Sequence, residues 1–249
     1  MPAIRAVFLD VGWTLAYPQR SIWDVFADLC AERGVSATAL ACEQLLRSVW
    51  GASQKHAEEQ FHGGRQYSDS NAEFALAFEH MAAFIFTQLG VEGDRSELTQ
   101  QFLQAFWRED NWRAFPEVDH VLPQLRERGI RLGVLSNAPT DLPSFLERLG
   151  IAKHLDFTVV SAIEGVKKPD RRIFEIALSR AGVAPAEALH VGDMYLEDIV
   201  GGGAVGVNTL LMERGARALF PNFRESESRS LSPDTVVRDL HEVLARVGR

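Results

Sequence analysis

Seven polar residues are of types that do chemistry together, and their spacing sets them at the ends of apolar runs or beside a helix start. They are Asp10 with Thr14, Ser136 with Asn137, Lys168, and Asp193 with Asp198. Two or three carboxylates and a backbone oxygen suit a hard, octahedral cation such as Mg²⁺. That cation, a lysine, and hydroxyl and amide donors together suit a phosphoryl group in transfer. A carboxylate held among them can attack and carry a covalent intermediate. A carboxylate next to an apolar strand is costly without such partners, so the alternative is a structural Asp10 that caps a turn or helix.

The hydrophobic pattern supplies the elements. Ala6-Val7-Phe8-Leu9 is a continuous apolar run that reads as a strand buried on both faces. Asp10 stands just past its carboxyl end, where open α/β sheets place their ligands. Helical spacing follows over residues 21–33, 36–60, 71–89 and 96–107, with Ser21 as an N-cap and the Gly63-Gly64 pair as a break. The second half alternates. Helices are expected over 117–128, 141–150, 170–181, 196–204 and 234–247, and strands over 130–135, 157–160, 188–191 and 207–212. Such alternation predicts βαβ units and a parallel sheet with right-handed crossovers. The expected fold class is α/β: a doubly wound, Rossmann-like parallel-sheet core of residues 1–16 and 115–249, with an all-helical cap, residues 17–114, inserted after the first strand. Three strand ends then converge at one sheet edge. Pro169 keeps Lys168 extended before a helix, so that the lysine leans over the same point.

Apolar residues make up 46% of the 249 and charged residues 24%, ordinary globular values that allow a full core. The formal net charge of -8 and the lack of a basic tract exclude nucleic acid and anionic membrane surfaces as expected partners. The first apolar run is far too short for a signal or a membrane span, so a cytoplasmic protein is expected. Cys30 and Cys42 lack CxxC spacing and read as core fillers. His80, His120, His154 and His190 lack ligand spacing and read as surface or packing residues. Trp23, Trp50, Trp107 and Trp112 read as packing within the helical block, whereas Trp13 could face a substrate.

Four segments stand in order across residues 6–212: Phe8-Leu9-Asp10-Val11-Gly12-Trp13-Thr14-Leu15, Leu135-Ser136-Asn137, Gly165-Val166-Lys167-Lys168-Pro169-Asp170, and Val191-Gly192-Asp193 followed by Asp198. In these the chain resembles the haloacid dehalogenase superfamily of hydrolases, in the form with a helical cap inserted after the first strand. The resemblance implies Asp10 as nucleophile, and Mg²⁺ bound by Asp10, Asp193 and the carbonyl of Gly12. It implies that Asp198 supports the metal shell or holds the lysine. Thr14, Ser136 and Asn137 would donate to phosphoryl oxygens. Lys168, next to the proline, would neutralise Asp10, with Lys167 as the competing candidate. The implied substrate is a small phosphorylated metabolite.

Position 12 departs from the pattern. Phosphatases of that superfamily usually carry an aspartate there, as general acid and then base, and this chain has glycine. General acid–base catalysis is typically worth about 10²–10⁴-fold. Its loss matters least for a halide, acyl phosphate or acidic phenol as leaving group, and most for an alkoxide. Four readings stay open. One is a Mg²⁺-dependent phosphatase whose acid comes from substrate, water or the cap, with His56, His62 and Tyr17 as candidates. Another is a metal-independent 2-haloacid dehalogenase, which has no need of Asp193 with Asp198. A phosphonatase-like hydrolase would use Lys55 to form a Schiff base. An inactive binding protein would have little use for Asp10, Lys168 and Asp193. The Gly63-Gly64 loop either closes over Asp10 as a lid or joins two helices.

Overall fold

The computed structural model describes residues 3–50, 69–215 and 231–247. Strand β1 (Ala6–Leu9) is wholly buried, as an uninterrupted apolar run requires. Two short strands, β2 (Ala16–Pro18) and β3 (Trp112–Ala114), pair as a separate ribbon. The remaining strands are β4 (Arg131–Ser136), β5 (Phe157–Val160), β6 (Ala188–Gly192), β7 (Asn208–Met212) and β8 (Val236–Val237). With β1 they form a six-stranded sheet in the order β5-β4-β1-β6-β7-β8, parallel at every pairing. From β1 the chain adds strands outward on one side and then on the other. That reversal leaves a crevice at the carboxyl ends of the central strands.

Register sets which residues share that edge. Phe8 lies opposite Gly133 of β4 and His190 of β6, so the three strands end side by side at Asp10, Ser136 and Gly192. On one sheet face Phe8, Leu135 and Val159 pack with Ile173, Phe174 and Ala177 of the helix Arg171–Ala181. Fully burying each such side chain is worth about 1.5–3 kcal/mol. Asp170 caps that helix by accepting from the Arg172 amide at 2.9 Å.

The described residues divide into two compact units. One gathers those of Met1–Tyr17, Ser68–Asn71 and Ala114–Arg249, and the other those of Pro18–Tyr67 and Ala72–Arg113. The second unit is built on helices α1 (Ile22–Ala31), α2 (Ala39–Trp50), α3 (Asn71–Gln88) and α4 (Arg95–Phe106). Ser21 opens α1 with a reciprocal cap: its Oγ accepts from the Asp24 amide, and Asp24 accepts from the Ser21 amide. Aromatic stacking fills this unit, with Phe26 on Phe102 at 4.3 Å and Trp107 on Trp112 at 5.1 Å between centroids. Cys30 and Cys42 are buried free thiols.

Four local features differ from the sequence expectation. The helical insertion is entered and left through the β2–β3 ribbon, whose three-residue strands are too short to show a period. The expected helix over 196–204 is a π-helical turn, Tyr195–Val200, running into Gly201–Ala204. The last helix starts at Leu240, because Val236 and Val237 leave to become the edge strand β8. Of the expected helix over 36–60, residues 36–50 are described, and there the helix starts only at Ala39 and runs to Trp50. Lys55, His56, His62, the Gly63-Gly64 pair and the Trp50 side chain lie outside them. Among the described residues no helix is long and apolar enough to cross a membrane.

Candidate active site

Asp10 follows β1 directly, and its amide donates to the Val191 carbonyl at 2.9 Å, so the backbone stays in register with β6 one residue beyond the strand. The chain then turns tightly. The Val11 carbonyl accepts from the amides of Thr14 at 3.3 Å, Leu15 at 2.9 Å and Ala16 at 2.9 Å. Trp13, half-buried, takes a left-handed φ of 52°, a conformation that costs a non-glycine residue roughly 1–3 kcal/mol. Strain of this kind persists only where the surroundings enforce it.

The lysine reaches this loop from the other side of the sheet edge. Lys168 is 1% exposed, and its Nζ donates to Asp10 Oδ1 at 2.8 Å and to Asp198 Oδ1 at 2.6 Å. Burial alone would disfavour the ammonium, but Asp10 and Asp198 overcome it and hold Lys168 charged, well above the ordinary lysine range. Of the two neighbouring lysines, Lys168 is the one placed between these carboxylates. Asn137, expected as a phosphoryl donor, has another occupation. Its Oδ1 accepts from the Lys168 amide at 2.8 Å and its Nδ2 donates to the Lys168 carbonyl at 3.0 Å, so it clamps the lysine's backbone.

Asp198 comes from the π-helical turn and is fully buried. Its Oδ1 also accepts from His190 Nε2 at 2.8 Å, and its Oδ2 accepts from the Met194 amide at 2.9 Å. Burial would push this carboxyl up, but Lys168 and His190 hold it far below the usual carboxylate range. Both oxygens are thus engaged by protein donors, and what Asp198 visibly does is hold the lysine. Gly192 makes room for it: a Cβ there would lie 2.2 Å from the Asp198 carboxylate.

His190 is one residue of this network that the spacing does not reveal. It is a packing residue, but one inside this network, fully buried on β6 with Nδ1 3.2 Å from the Phe8 carbonyl and its ring edge-on to Phe174. Spacing carried no signal for it, since its partner Asp198 is reached only through the π turn. His154, by contrast, pairs with Asp119 away from the strand ends, at 2.8 Å.

Asp193 is half-buried at the end of β6. Burial raises its carboxyl well above the ordinary value, and the charges of Asp10 and Asp198 add to the rise against the opposing pull of Lys168. Ser136 closes β4 and is largely buried. Thr14 is wholly buried, with no hydrogen-bond partner for its Oγ1 among the described residues. Its carbonyl accepts from Arg214. Tyr17 packs its ring on Phe115 at 4.7 Å.

A nucleophile-type carboxylate at the central strand end, a buried lysine, and carboxylates just past the neighbouring strand and in the turn after it make a hydrolase-type constellation. The family model for haloacid dehalogenase-like hydrolases matches residues 4–206. The chain is 32% identical over 225 residues to the human haloacid dehalogenase-like hydrolase domain-containing protein 3, covering 90% of this chain and 87% of that one. It is 36% identical over 153 residues to a phosphoserine phosphatase of Thermus thermophilus, covering 61% and 58% of the two chains. In fold it is similar to the L-2-haloacid dehalogenase of Xanthobacter autotrophicus, with a TM-score of 0.69 at 23% identity over 99% of this chain and 100% of that one. A family match across most of the chain, on a sheet whose central strand ends carry these residues, has one consequence: the protein belongs to the haloacid dehalogenase-like hydrolases and is itself a hydrolase.

Proposed function

We propose that the protein is a Mg²⁺-dependent phosphohydrolase of the cytoplasm, acting on a small phosphorylated metabolite through an aspartyl-phosphate on Asp10. One observation carries this reading. Asp193 crowds a carboxylate already shared by Lys168, and burial with its neighbours drives its own carboxyl toward protonation. A carboxylate kept in such a place is suited to a cation. Dehalogenation of a 2-haloacid needs no cation. The phosphatase name of the Thermus thermophilus relative supports the same direction.

Asp10, Asp193 and the carbonyl of Gly12 would hold the ion. Among the described residues no three His, Cys, Asp or Glu side chains converge as a metal cluster. Two carboxylates with a backbone oxygen suit Mg²⁺, which keeps several waters. When bound, the ion supplies positive charge against the phosphoryl oxygens. The chain's own residues do the rest. Lys168 pairs with Asp10 and aims it, Asn137 fixes Lys168, and Ser136 donates to a phosphoryl oxygen. Asp10 Oδ forms the new P–O bond as the bond to the leaving oxygen breaks; water then attacks phosphorus and restores the carboxylate. Gly12 offers no proton to the leaving group, so aryl and acyl phosphates are favoured over alkyl ones.

The test is Asp10→Asn on a small aryl phosphate with Mg²⁺. Turnover should fall to background, and unchanged turnover would overturn the reading. Halide release from a 2-haloacid without metal would point to a dehalogenase instead.

A further inference from the structure

Arg214 lies outside every motif, yet its guanidinium is built into the loop that carries Asp10. It follows β7, two strands from β1 in the sheet, and its side chain is 5% exposed. Nη2 donates to the Thr14 carbonyl at 2.5 Å. Nη1 pairs with Glu117 Oε1 and donates to the Arg238 carbonyl at 3.3 Å. The guanidinium carbon sits 3.7 Å above the centre of the Phe115 ring, a desolvated cation–π geometry. Phe115 is itself tied to the same loop, its amide donating to the Leu15 carbonyl at 2.9 Å.

We propose that Arg214 is a positioning residue for the nucleophile loop: its planar fork, stacked on Phe115 and anchored by Glu117, holds the Thr14 carbonyl and with it the strained turn from Asp10 to Ala16. The turn needs such a hold. Three of its internal bonds converge on the single carbonyl of Val11, the Trp13 amide adds one to the Ala16 carbonyl at 2.7 Å, and Trp13 is kept in a left-handed conformation that it would not choose. An ammonium cannot replace the fork, because a point charge does not reach the Glu117 carboxylate and the Thr14 carbonyl in one plane while lying flat on a ring. The assignment rests on Asp10 as nucleophile for its catalytic consequence, but not for its structural one.

The experiment compares wild type with Arg214→Lys and Arg214→Met. Amide hydrogen exchange is followed for Leu15 and Ala16, whose N–H groups bond the Val11 carbonyl, against β4 and β6 as internal standards. Steady-state turnover of an aryl phosphate is measured on the same samples. Both variants should speed exchange of the Leu15 and Ala16 amides by at least about tenfold with β4 and β6 unchanged. In Arg214→Lys, kcat should fall about 10- to 100-fold with KM altered less than about twofold, the mark of misplacement rather than lost substrate contact. If Arg214→Met speeds exchange in every strand, it has lost global stability and Arg214→Lys decides. Loop exchange and kcat both at wild-type values in Arg214→Lys overturn the proposal. If Asp10→Asn retains turnover, the phosphohydrolase reading has failed, and the exchange data alone decide whether Arg214 holds the turn.

Discussion

At Gly12 the backbone has no need of a glycine: its φ is not positive, and a Cβ built there meets nothing within 4 Å. There is room for the Cβ of an aspartate, whose carboxyl would serve the proposed reaction as general acid. Gly12→Asp should therefore raise turnover of an alkyl phosphate by about 10²-fold, with a smaller gain on an aryl phosphate whose leaving group needs no proton. Equal factors on both substrates would show that proton delivery is not what limits the wild type. Gly192 is the opposite case, since any side chain there collides with the carboxylate of Asp198. His190 supports that carboxylate from the far side. His190→Phe keeps a flat ring against Phe174 but removes a charge-assisted hydrogen bond worth roughly 1.5–3 kcal/mol, which the urea midpoint should register. An unchanged midpoint would mean that Lys168 and the Met194 amide suffice. Asp10, Lys168 and Asp193 were legible because each stands at a punctuation mark in the pattern, after an apolar run or before a proline. His190 and Arg214 were not. A histidine inside an apolar strand looks like packing, and an arginine past β7 looks like surface until Thr14, 200 residues away, is folded beneath it.

Elements were legible in proportion to their length. The four-residue runs of β1 and β5 announce themselves, whereas Val236–Val237 cannot show a period and was absorbed into the helix that follows it. The π turn was hidden for a different reason. Its widening serves the inward bonds of Asp198, a tertiary demand that helical spacing does not encode. Where α1 and α2 pack, the buried thiols make a testable element. Burial, with Cys30 adjacent, pushes the Cys42 thiol from 9.0 up to about 12. As pH rises through this window the unfolded chain releases the proton while the native helix pair keeps it, so stability falls with alkalinity; Cys30 adds the same sign. Cys42→Ala removes its share of the loss. Between about pH 8 and pH 10 the urea midpoint of wild type should fall more steeply than that of the variant. Parallel slopes would show that the Cys42 thiol titrates alike in the folded and unfolded chain.

For the molecule as a whole the question is charge. Asp10 and Asp198 already share the one ammonium of Lys168, and the carboxyl of Asp193 stands beside them without a cation of its own, in a chain whose formal net charge is already -8. A phosphate dianion brought to that edge alone meets like charge, and each close pair costs about 4 kcal/mol at 4 Å with an effective dielectric of 20. A divalent cation removes the conflict, so cation and anion should bind with positive coupling, on the order of 1–3 kcal/mol. Thermal unfolding reads this directly, because a ligand of the folded state raises Tm in proportion to its binding. Mg²⁺ alone should raise Tm, inorganic phosphate alone should leave it in place, and the two together should raise it by more than the sum. Asp193→Asn removes the carboxyl that burial and its neighbours disfavour. That variant should unfold at a higher temperature than wild type in cation-free buffer and lose the response to Mg²⁺. A phosphate response of equal size with and without Mg²⁺ would leave Asp193 without its proposed role. The anion would then be balanced by Lys168 alone, and the metal-independent chemistry of the family would become the better account of the site.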